Sequence, residues 1–407
     1  MFIIKIFTGD EIMEYVLIGN GIAALSACEN IRKNDRENKI TIISKEAYPT
    51  YYRLKLSQLL GRAFDFQSLL VKEENWYINN DIELILNTSV KKVDTKNKKL
   101  ILSSDSIISY DKLIIATGSS SFIPNVLGQE KKGVFAIRSI EDVKNLNDSI
   151  KDKKRGIIIG GGLLGLEAAW SLRKNGYEIT VIEFFPRLLP RQADEEGSMI
   201  LKNIIESNGI NILLKAEVIE ITGETVNGII LKDGRKIDAD FVIFSSGVKP
   251  NIDILKETEI KVNKGVIVDE YMRTNIEDVY AAGDVAEFNG RIYGLWTVAM
   301  AQGRNAGLNI SGNKTVYKEV IPSSILKITG IDMFSAGDIS GEESVSKSYI
   351  GNNLYYKLYF KDGIIIGAIL IGDISKSTKL KKLIEAKQNF MDMLNKGQGA
   401  RDIIENI

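Results

Sequence analysis

Two glycine-rich turns, far apart in the chain, carry the residue types best suited to chemistry. They are residues 19–24, Gly-Asn-Gly-Ile-Ala-Ala, and residues 160–165, Gly-Gly-Gly-Leu-Leu-Gly. Each turn follows an apolar run typical of a buried strand and opens a predicted helix. The first residues of a helix have free N–H groups that bind phosphate, and glycine lets the backbone approach the phosphate closely. We therefore predict two dinucleotide sites and electron transfer from one dinucleotide to the other.

Two residue types that often carry redox or acid–base chemistry are scarce. Histidine is absent, and cysteine occurs once, as Cys28. Imidazole catalysis and histidine-ligated metal are therefore excluded, and no metal site is predicted. A redox-active disulfide needs two cysteines, and an iron–sulfur cluster normally needs four thiolates, so this chain builds neither. Cys28 falls among apolar residues of the predicted first helix, where we interpret it as a buried, inert thiol.

Composition excludes several further classes of protein. The 407 residues suffice for two or three domains, and 53 basic residues balance 53 acidic ones. No net charge therefore favours nucleic acid or an anionic membrane. The apolar runs have strand length, well short of the roughly 20 residues that span a bilayer, and the start lacks a signal-peptide core. We expect a cytoplasmic protein. Met13 is a candidate natural start, with an extra strand or cloning residues before it.

Strand-like and helical stretches alternate along most of the chain, which predicts an α/β fold with parallel sheets. The last ninety or so residues differ, because residues 354–370 read as a hairpin around Asp362-Gly363. We predict two Rossmann-like dinucleotide-binding domains and a small α+β C-terminal domain closed by one or two helices. The predicted strand, helix and strand of the two units are residues 15–18, about 22–33 and 39–43, then 156–159, about 163–175 and 178–183.

The two units differ in the residue that follows their second strand. Glu183 ends that strand in the later unit, where a carboxylate accepts hydrogen bonds from both adenosine ribose hydroxyls and repels a 2′-phosphate. This favours NADH over NADPH, although Arg187 and Arg191 are close enough in sequence to weaken the preference. In the earlier unit the ribose contact would fall to Ser44 or to Glu46, unless Glu46 is a solvated loop carboxylate.

Three segments together resemble the FAD signatures of the flavoprotein reductases that bind two dinucleotides. They are the first glycine turn, the Ala116-Thr117-Gly118 turn and residues 279–286. The unit around Gly160 resembles the NADH domain of the same superfamily, and the match spans nearly the full length. Residues 51–53, 321–328 and 371–373 are most similar to NADH:rubredoxin oxidoreductases, and also to the N-terminal part of the large subunit of NADH-dependent nitrite reductase.

The resemblance implies a domain order and two cofactors, FAD and NADH. The FAD-binding domain would comprise residues 1–122 and 251–320, split around an NAD-binding domain at 123–250 and followed by a C-terminal domain at 321–407. The FAD-binding residues would be Gly19, Asn20, Gly21, Ala23, Ala24, Ser44, Glu46, Arg53, Lys55, Val90, Ala116, Thr117, Gly118, Arg138, Asp284, Val298 and Lys327. The NAD-binding residues would be Gly160, Gly162, Leu163, Leu164, Gly165, Glu183 and Gly247.

The resemblance also implies roles for some of these residues. Asp284 would accept a hydrogen bond from a ribityl hydroxyl of FAD, and Arg53 would bind the pyrophosphate as a fork of donors. A helix starting near Val298 would aim its positive end at the flavin. Related reductases often place a lysine where this chain has Gln58, and Lys55 is the candidate substitute. Glu167 would be the catalytic residue, placed where nicotinamide and isoalloxazine stack.

Hydride transfer from NADH to FAD asks the protein for stacking geometry and dry surroundings. Related disulfide reductases and peroxide reductases pass electrons on through cysteine near the first helix, but residues 44–58 contain none. Reduced FAD would then deliver electrons from its edge to a small iron–sulfur or rubredoxin-type protein. Such acceptors are often acidic, so Lys327, Arg53 and Lys55 would steer docking.

Several alternatives remain open at the level of the sequence. The acceptor could instead be oxygen, as in a diaphorase or NADH oxidase. The chain could be a subunit of a nitrite reductase complex, with nitrite chemistry on a partner chain. A non-enzymatic alternative is a flavin-bound redox sensor. The expected assembly is a monomer or a homodimer.

Overall fold

The computed structural model describes residues 12–328, 331–341, 345–351 and 354–407. The extra strand considered ahead of Met13 falls on residues 1–11, outside these ranges. No helix in the described ranges is both long and apolar enough to cross a membrane.

The helices and strands alternate in the two predicted strand-helix-strand units, and runs of consecutive strands follow each of them. Up to residue 121 they are β1 Glu14–Ile18, α1 Ile22–Asn34, β2 Lys39–Ile43, α2 Glu74–Asn79, β3 Ile82–Ile85, β4 Val90–Asp94, β5 Lys99–Leu102, β6 Ile107–Ser109, β7 Lys112–Ile115 and β8 Ser119–Ser121. There follow β9 Val134–Ala136, α3 Ile140–Ser149, β10 Arg155–Ile159, α4 Leu163–Lys174, β11 Glu178–Ile182, α5 Glu195–Ser207, β12 Ile210–Leu213, β13 Val218–Thr222, β14 Gly228–Leu231, β15 Lys236–Asp238, β16 Phe241–Phe244 and β17 Val248–Pro250.

The remaining elements include the last strand of the first parallel sheet and the elements of the C-terminal segment. They are β18 Val266–Val268, β19 Val279–Ala281, β20 Ala286–Phe288, α6 Trp296–Ile310, β21 Ser323–Ile328, β22 Ile331–Gly337, β23 Val345–Gly351, β24 Leu354–Lys361, β25 Ile364–Gly372, α7 Ser377–Glu385, α8 Met391–Asn395 and α9 Ala400–Glu405. Short 3-10 helices span Arg53–Leu59, Phe66–Leu69 and Asp253–Leu255.

Contacts between residues divide the chain into two compact units. The first contains the described residues up to Tyr52, Gln67–Ser120 and Val248–Val320. The second contains Arg53–Phe66, Ser121–Gly247 and Ile321–Ile407.

The first unit is built on a five-stranded parallel sheet in the order β19-β7-β1-β2-β3. Helices α1 and α6 pack against each other so closely that a Cβ on Gly303 would lie 2.1 Å from the Ala23 carbonyl oxygen. Small residues on both helices make this approach possible. Cys28 lies in this core at 0% exposure, which confirms that the thiol is buried, and burial raises its pKa, as expected of an unreactive thiol.

The second unit holds a parallel sheet, β12-β11-β10-β16-β9, and an antiparallel sheet, β21-β22-β25-β24-β23. Asp362 and Gly363 join β24 to β25 with φ of 51° and 76°, as a tight hairpin turn requires. Helices α7 to α9 follow in the described C-terminal residues, where one or two were predicted. The predicted α/β class, with two Rossmann-like sheets and a C-terminal α+β part, is confirmed.

Candidate cofactor sites

The first glycine turn leaves an uncapped helix N-terminus facing open space. Gly19 has φ 105°, and a Cβ there would lie 2.2 Å from the Ala116 carbonyl oxygen. Gly21 is the N-cap of α1 and provides no side-chain cap, and a Cβ on it would meet nothing within 4 Å. The first N–H groups of α1 are therefore presented to an external acceptor, and this geometry fits a pyrophosphate.

Hydrogen bonds from the next loop fix this turn. The Asn20 amide donates to the Tyr48 carbonyl at 3.2 Å, and its oxygen accepts from the Thr50 hydroxyl at 2.7 Å. The predicted ribose partners lie beside it: the Glu46 N–H donates to Ser44 Oγ at 3.2 Å. The Glu46 carboxylate accepts from a tyrosine hydroxyl at 2.5 Å, which speaks against a merely solvated loop carboxylate.

A second turn of the first unit holds Asp284 in place. Ser119 Oγ donates to Asp284 Oδ2 at 2.8 Å. Just before it, the Thr117 hydroxyl donates to the Asn251 carbonyl at 2.8 Å, and the Asn251 amide returns a bond to the Thr117 carbonyl at 2.9 Å. These bonds hold the loop containing Gly118 in a fixed conformation. Neither Ser119 nor Asn251 was singled out from the sequence, because no local pattern marks them.

Several predicted FAD contacts are core residues. Val90, Ala23, Ala24, Ala116 and Val298 are all at most 7% exposed. For these residues a cofactor contact is therefore expected mainly from the backbone.

Helix α6 begins at Trp296, two residues before the predicted Val298, and it has no side-chain cap at its N-terminus. The Trp296 ring stacks on Tyr52, with centroids 5.7 Å apart and planes at 26°. The start of the helix, with its positive dipole end, is therefore flanked by an aromatic pair.

The second glycine turn repeats the first in the other unit. Gly160 has φ 119°, and a Cβ there would lie 2.3 Å from the Ser245 carbonyl oxygen. Gly162 caps α4 without a side chain, and a Cβ on it would meet nothing within 4 Å. At Gly165 a Cβ would lie 2.1 Å from the Gly160 carbonyl oxygen, which keeps α4 against the turn. The geometry fits a second pyrophosphate. Leu163 and Leu164 form the first turn of α4, and Gly247 follows β16.

Glu183 lies at the end of β11, as predicted, and it already has backbone partners. Its carboxylate accepts from the Gly161 N–H at 2.6 Å and from the Phe185 N–H at 2.8 Å, and the residue is 6% exposed. These bonds fix the carboxylate within the glycine turn. Arg187 donates to the Pro190 carbonyl at 3.3 Å. The ribose contact of Glu183 stays a prediction.

Glu167 lies one turn into α4 and is half-buried. Ser57 Oγ donates to its Oε2 at 2.6 Å. Burial raises the pKa of Glu167, and the hydrogen bond from Ser57 acts in the opposite direction. Sequence reasoning missed Ser57, although it lies beside Gln58 in the stretch already singled out.

The predicted basic residues of the second unit have different surroundings. Arg53 donates to the Arg138 carbonyl, and the Arg138 N–H donates to Asp142 Oδ2 at 2.9 Å. Lys55 and Lys327 are exposed. Their predicted cofactor contacts remain predictions. In the described residues, no group of three or more acidic, cysteine or histidine side chains is arranged to hold a metal ion.

Comparison with known proteins identifies the class. The sequence model of the pyridine nucleotide-disulphide oxidoreductases matches residues 13–303, and the rubredoxin NAD+ reductase C-terminal domain matches residues 322–388. The chain belongs to the pyridine nucleotide-disulphide oxidoreductase family of FAD-dependent, NADH-using oxidoreductases.

Two relatives show how the similarity is distributed. The NADH-rubredoxin oxidoreductase of Clostridium acetobutylicum is 36% identical over 378 residues, which are 92% of this chain and 95% of that protein. A crystal structure of NADH:rubredoxin oxidoreductase from that organism matches with a TM-score of 0.80 at 32% identity, covering 97% of this chain and 100% of that one.

The nitrite reductase [NAD(P)H] of Bacillus subtilis is 38% identical over 387 residues, which are 93% of this chain but 48% of that protein. The chain therefore spans about half the length of the Bacillus subtilis relatives that it matches.

Proposed function

We propose that this protein takes a hydride from NADH onto FAD and passes electrons to a small redox protein of the rubredoxin type. The observation that carries the proposal is the pair of uncapped helix N-termini at Gly21 and Gly162, each facing open space. FAD, when bound, supplies the ability to accept two electrons at once and release them one at a time. The match to the rubredoxin reductase C-terminal domain supports a rubredoxin-type acceptor.

The residues of the chain would bind and orient the two cofactors. The N–H groups at the start of α1 would hold the FAD pyrophosphate, and those of α4 would hold the NADH pyrophosphate. Asp284, oriented by Ser119, would accept from a ribityl hydroxyl. Glu167 is a half-buried acceptor on α4, suited to the amide hydrogens of the nicotinamide carboxamide.

No thiol of this chain can relay the electrons. Cys28 is the single cysteine, it is fully buried, and burial raises its pKa. Such a relay runs through attack of a thiolate on a disulfide, so it needs a thiol that ionises readily and a second cysteine. We therefore propose that electrons leave directly from the flavin.

The identity to nitrite reductase favours a second candidate function. This chain would then be the NADH-oxidising part of a larger nitrite-reducing system, with a partner chain as the acceptor. The chemistry proposed within the chain is the same in both cases, and only the final acceptor differs.

The decisive experiment is an anaerobic NADH titration of the flavin-loaded protein, followed by stopped-flow mixing with rubredoxin or with dissolved oxygen. We expect bleaching of the flavin and faster reoxidation by rubredoxin than by oxygen. Reoxidation by oxygen at the same rate or faster would reject the leading acceptor in favour of an oxidase. Slow reduction and a persistent charge-transfer band would indicate a redox sensor.

Three glycine variants test the two sites separately. Gly21→Ala should weaken FAD retention, and Gly162→Ala should weaken NADH binding while FAD is kept. Gly399→Ala is the matched control, because this glycine caps α9 with a φ of −86°, close to the −91° and −81° of the other two. Gly399→Ala should change neither FAD retention nor NADH binding. Equal effects of all three substitutions would contradict the assignment of the sites.

A further inference from the structure

A short hydrogen bond joins the predicted catalytic carboxylate to a serine on a neighbouring segment. Ser57 Oγ and Glu167 Oε2 are 2.6 Å apart. This distance is typical of a hydroxyl donating to an ionised carboxylate, which is shorter than a bond between neutral groups. Ser57 is 5% exposed, so water competes little for its hydroxyl.

The segment that carries Ser57 is fixed to the helices of its own unit. The Asn147 amide donates to the Leu59 carbonyl at 3.0 Å, and its oxygen accepts from the Gly61 N–H at 2.8 Å. Ser171 Oγ, one turn beyond Glu167 on α4, donates to the Leu60 carbonyl at 3.0 Å. These three bonds hold the segment against the helices and keep Ser57 beside α4.

We propose that Ser57 is a positioning residue for Glu167: its hydroxyl holds the carboxylate ionised and in one orientation, ready to accept from the nicotinamide carboxamide of NADH. The inference rests on the proposed function, since it assigns Glu167 to the NADH site. A carboxylate in a half-buried position tends to take up a proton unless a donor stabilises the charge. Ser57 supplies such a donor without introducing a compensating positive charge.

A purely structural role for the bond is the competing explanation. The bond from Ser171 allows the positioning role and the structural role to be separated. It anchors the same segment to the same helix, but its acceptor is a backbone carbonyl and not the Glu167 carboxylate. Ser171→Ala removes an anchor and leaves the Glu167 carboxylate with its donor. Ser57→Ala removes the donor, and Ser57→Thr keeps a hydroxyl at the same position.

The experiment has four readouts on the purified full chain. Infrared spectra over a pH series follow the carboxyl band of Glu167, assigned by its loss in Glu167→Gln. Calorimetry gives the dissociation constant for NAD+, and stopped-flow absorbance gives the rate of flavin reduction by NADH. Thermal unfolding reports the structural cost of each substitution.

We expect Ser57→Ala to move the carboxyl titration to higher pH and to weaken NAD+ binding roughly threefold to tenfold, because the Glu167 bond to NAD+ is weakened without being removed. Ser57→Thr should restore both, and Ser171→Ala should change neither despite a comparable fall in melting temperature. If Ser57→Ala and Ser171→Ala behave alike in titration and binding, the positioning role is overturned.

The proposed function can fail separately. A wild-type protein whose flavin is not reduced by NADH would reject that function. The infrared titration would still show whether Ser57 controls the ionisation of Glu167.

Discussion

Lys357 Nζ donates to Asp194 Oδ2 at 2.6 Å, and so joins strand β24 to the start of helix α5 within the second unit. Tyr355, on the same strand, donates to the same oxygen at 2.6 Å. Asp194 also caps α5 by accepting from the Gly197 N–H at 3.0 Å. One carboxylate thus holds the C-terminal sheet against a helix that follows the predicted NAD site.

This ion pair predicts a measurable contribution to stability. The side chains of Lys357 and Asp194 are 21% and 16% exposed, so removing one partner leaves a largely buried charge without its counter-ion. We expect Lys357→Met to lower the free energy of unfolding by about 2–3 kcal/mol, somewhat less than for a fully buried pair. Urea denaturation followed by circular dichroism measures the change.

The Lys202–Glu206 pair on α5 is the control, with side chains 27% and 37% exposed. Lys202→Met should cost no more than about 0.5 kcal/mol. Equal losses for the two lysine substitutions would show that burial does not distinguish the pairs.

The same network predicts a pH dependence. Burial alone would raise the pKa of Asp194, but the bonds from Lys357, Tyr355 and Gly197 outweigh it and lower this pKa. A lowered folded-state pKa contributes stability above the unfolded value, about 3.9, and loses it as the pH falls through the folded value. The stability difference between wild type and Asp194→Asn should therefore be largest near pH 7 and shrink below about pH 4. Denaturation at a series of pH values measures it, and a constant difference would contradict the prediction.

The close contact of α1 and α6 predicts that Gly303 is intolerant of a side chain. A Cβ would overlap the Ala23 carbonyl, so we expect Gly303→Ala to cost about 1–3 kcal/mol through overpacking, although alanine favours helices. Met300→Ala, an exposed position on the same helix, is the control. Thermal unfolding of the flavin-free proteins compares them, and an unchanged or higher melting temperature for Gly303→Ala would mean that the helices move apart at little cost.

The Ser119–Asp284 bond predicts how tightly flavin is held. Asp284→Ala removes the predicted ribityl acceptor, and we expect FAD to bind roughly tenfold more weakly. Ser119→Ala should have a smaller effect, because it loosens the carboxylate without removing it. Fluorescence titration of flavin-free protein gives both constants. A larger effect at Ser119 than at Asp284 would reverse the assigned roles.

The proposed acidic acceptor predicts a dependence on salt. Exposed lysines raise association rates with an acidic partner chiefly at low ionic strength. We expect the rate of rubredoxin reduction to fall roughly several-fold from low to high salt. Lys327→Ala should make this rate depend less on salt. Reduction of the flavin by NADH should not change in the variant. If Lys327→Ala leaves the salt dependence of the rate unchanged, the acceptor docks on a different part of the surface.

Much of the fold could be predicted because its determinants are local. Gly19 and Gly160 need backbone angles that other residues rarely adopt, and the apolar runs beside them have strand length. The hairpin turn at Asp362-Gly363 is marked in the same way. The predicted boundaries differ mostly by one or two residues, as at α6, because frayed helix ends leave little trace in the sequence.

The candidate sites could be predicted only in part. The glycine turns and Asp284 belong to contiguous motifs, so the residues beside them in the chain were enough to mark them. Ser57 and Glu167 are 110 residues apart, and Asp194 and Lys357 are 163 residues apart. No periodicity connects such pairs, since their contact depends on how separate elements pack.

The sequence by itself determined the two glycine turns that are predicted to bind phosphate, and it excluded histidine chemistry and a disulfide within the chain, because backbone conformation at glycine and residue inventory are properties of the chain alone. Only the tertiary structure decided which side chains hold Glu167, Asp284 and Asp194. Those bonds form between segments that are brought together when their apolar faces are buried. The order of residues along the chain does not directly show which segments come close.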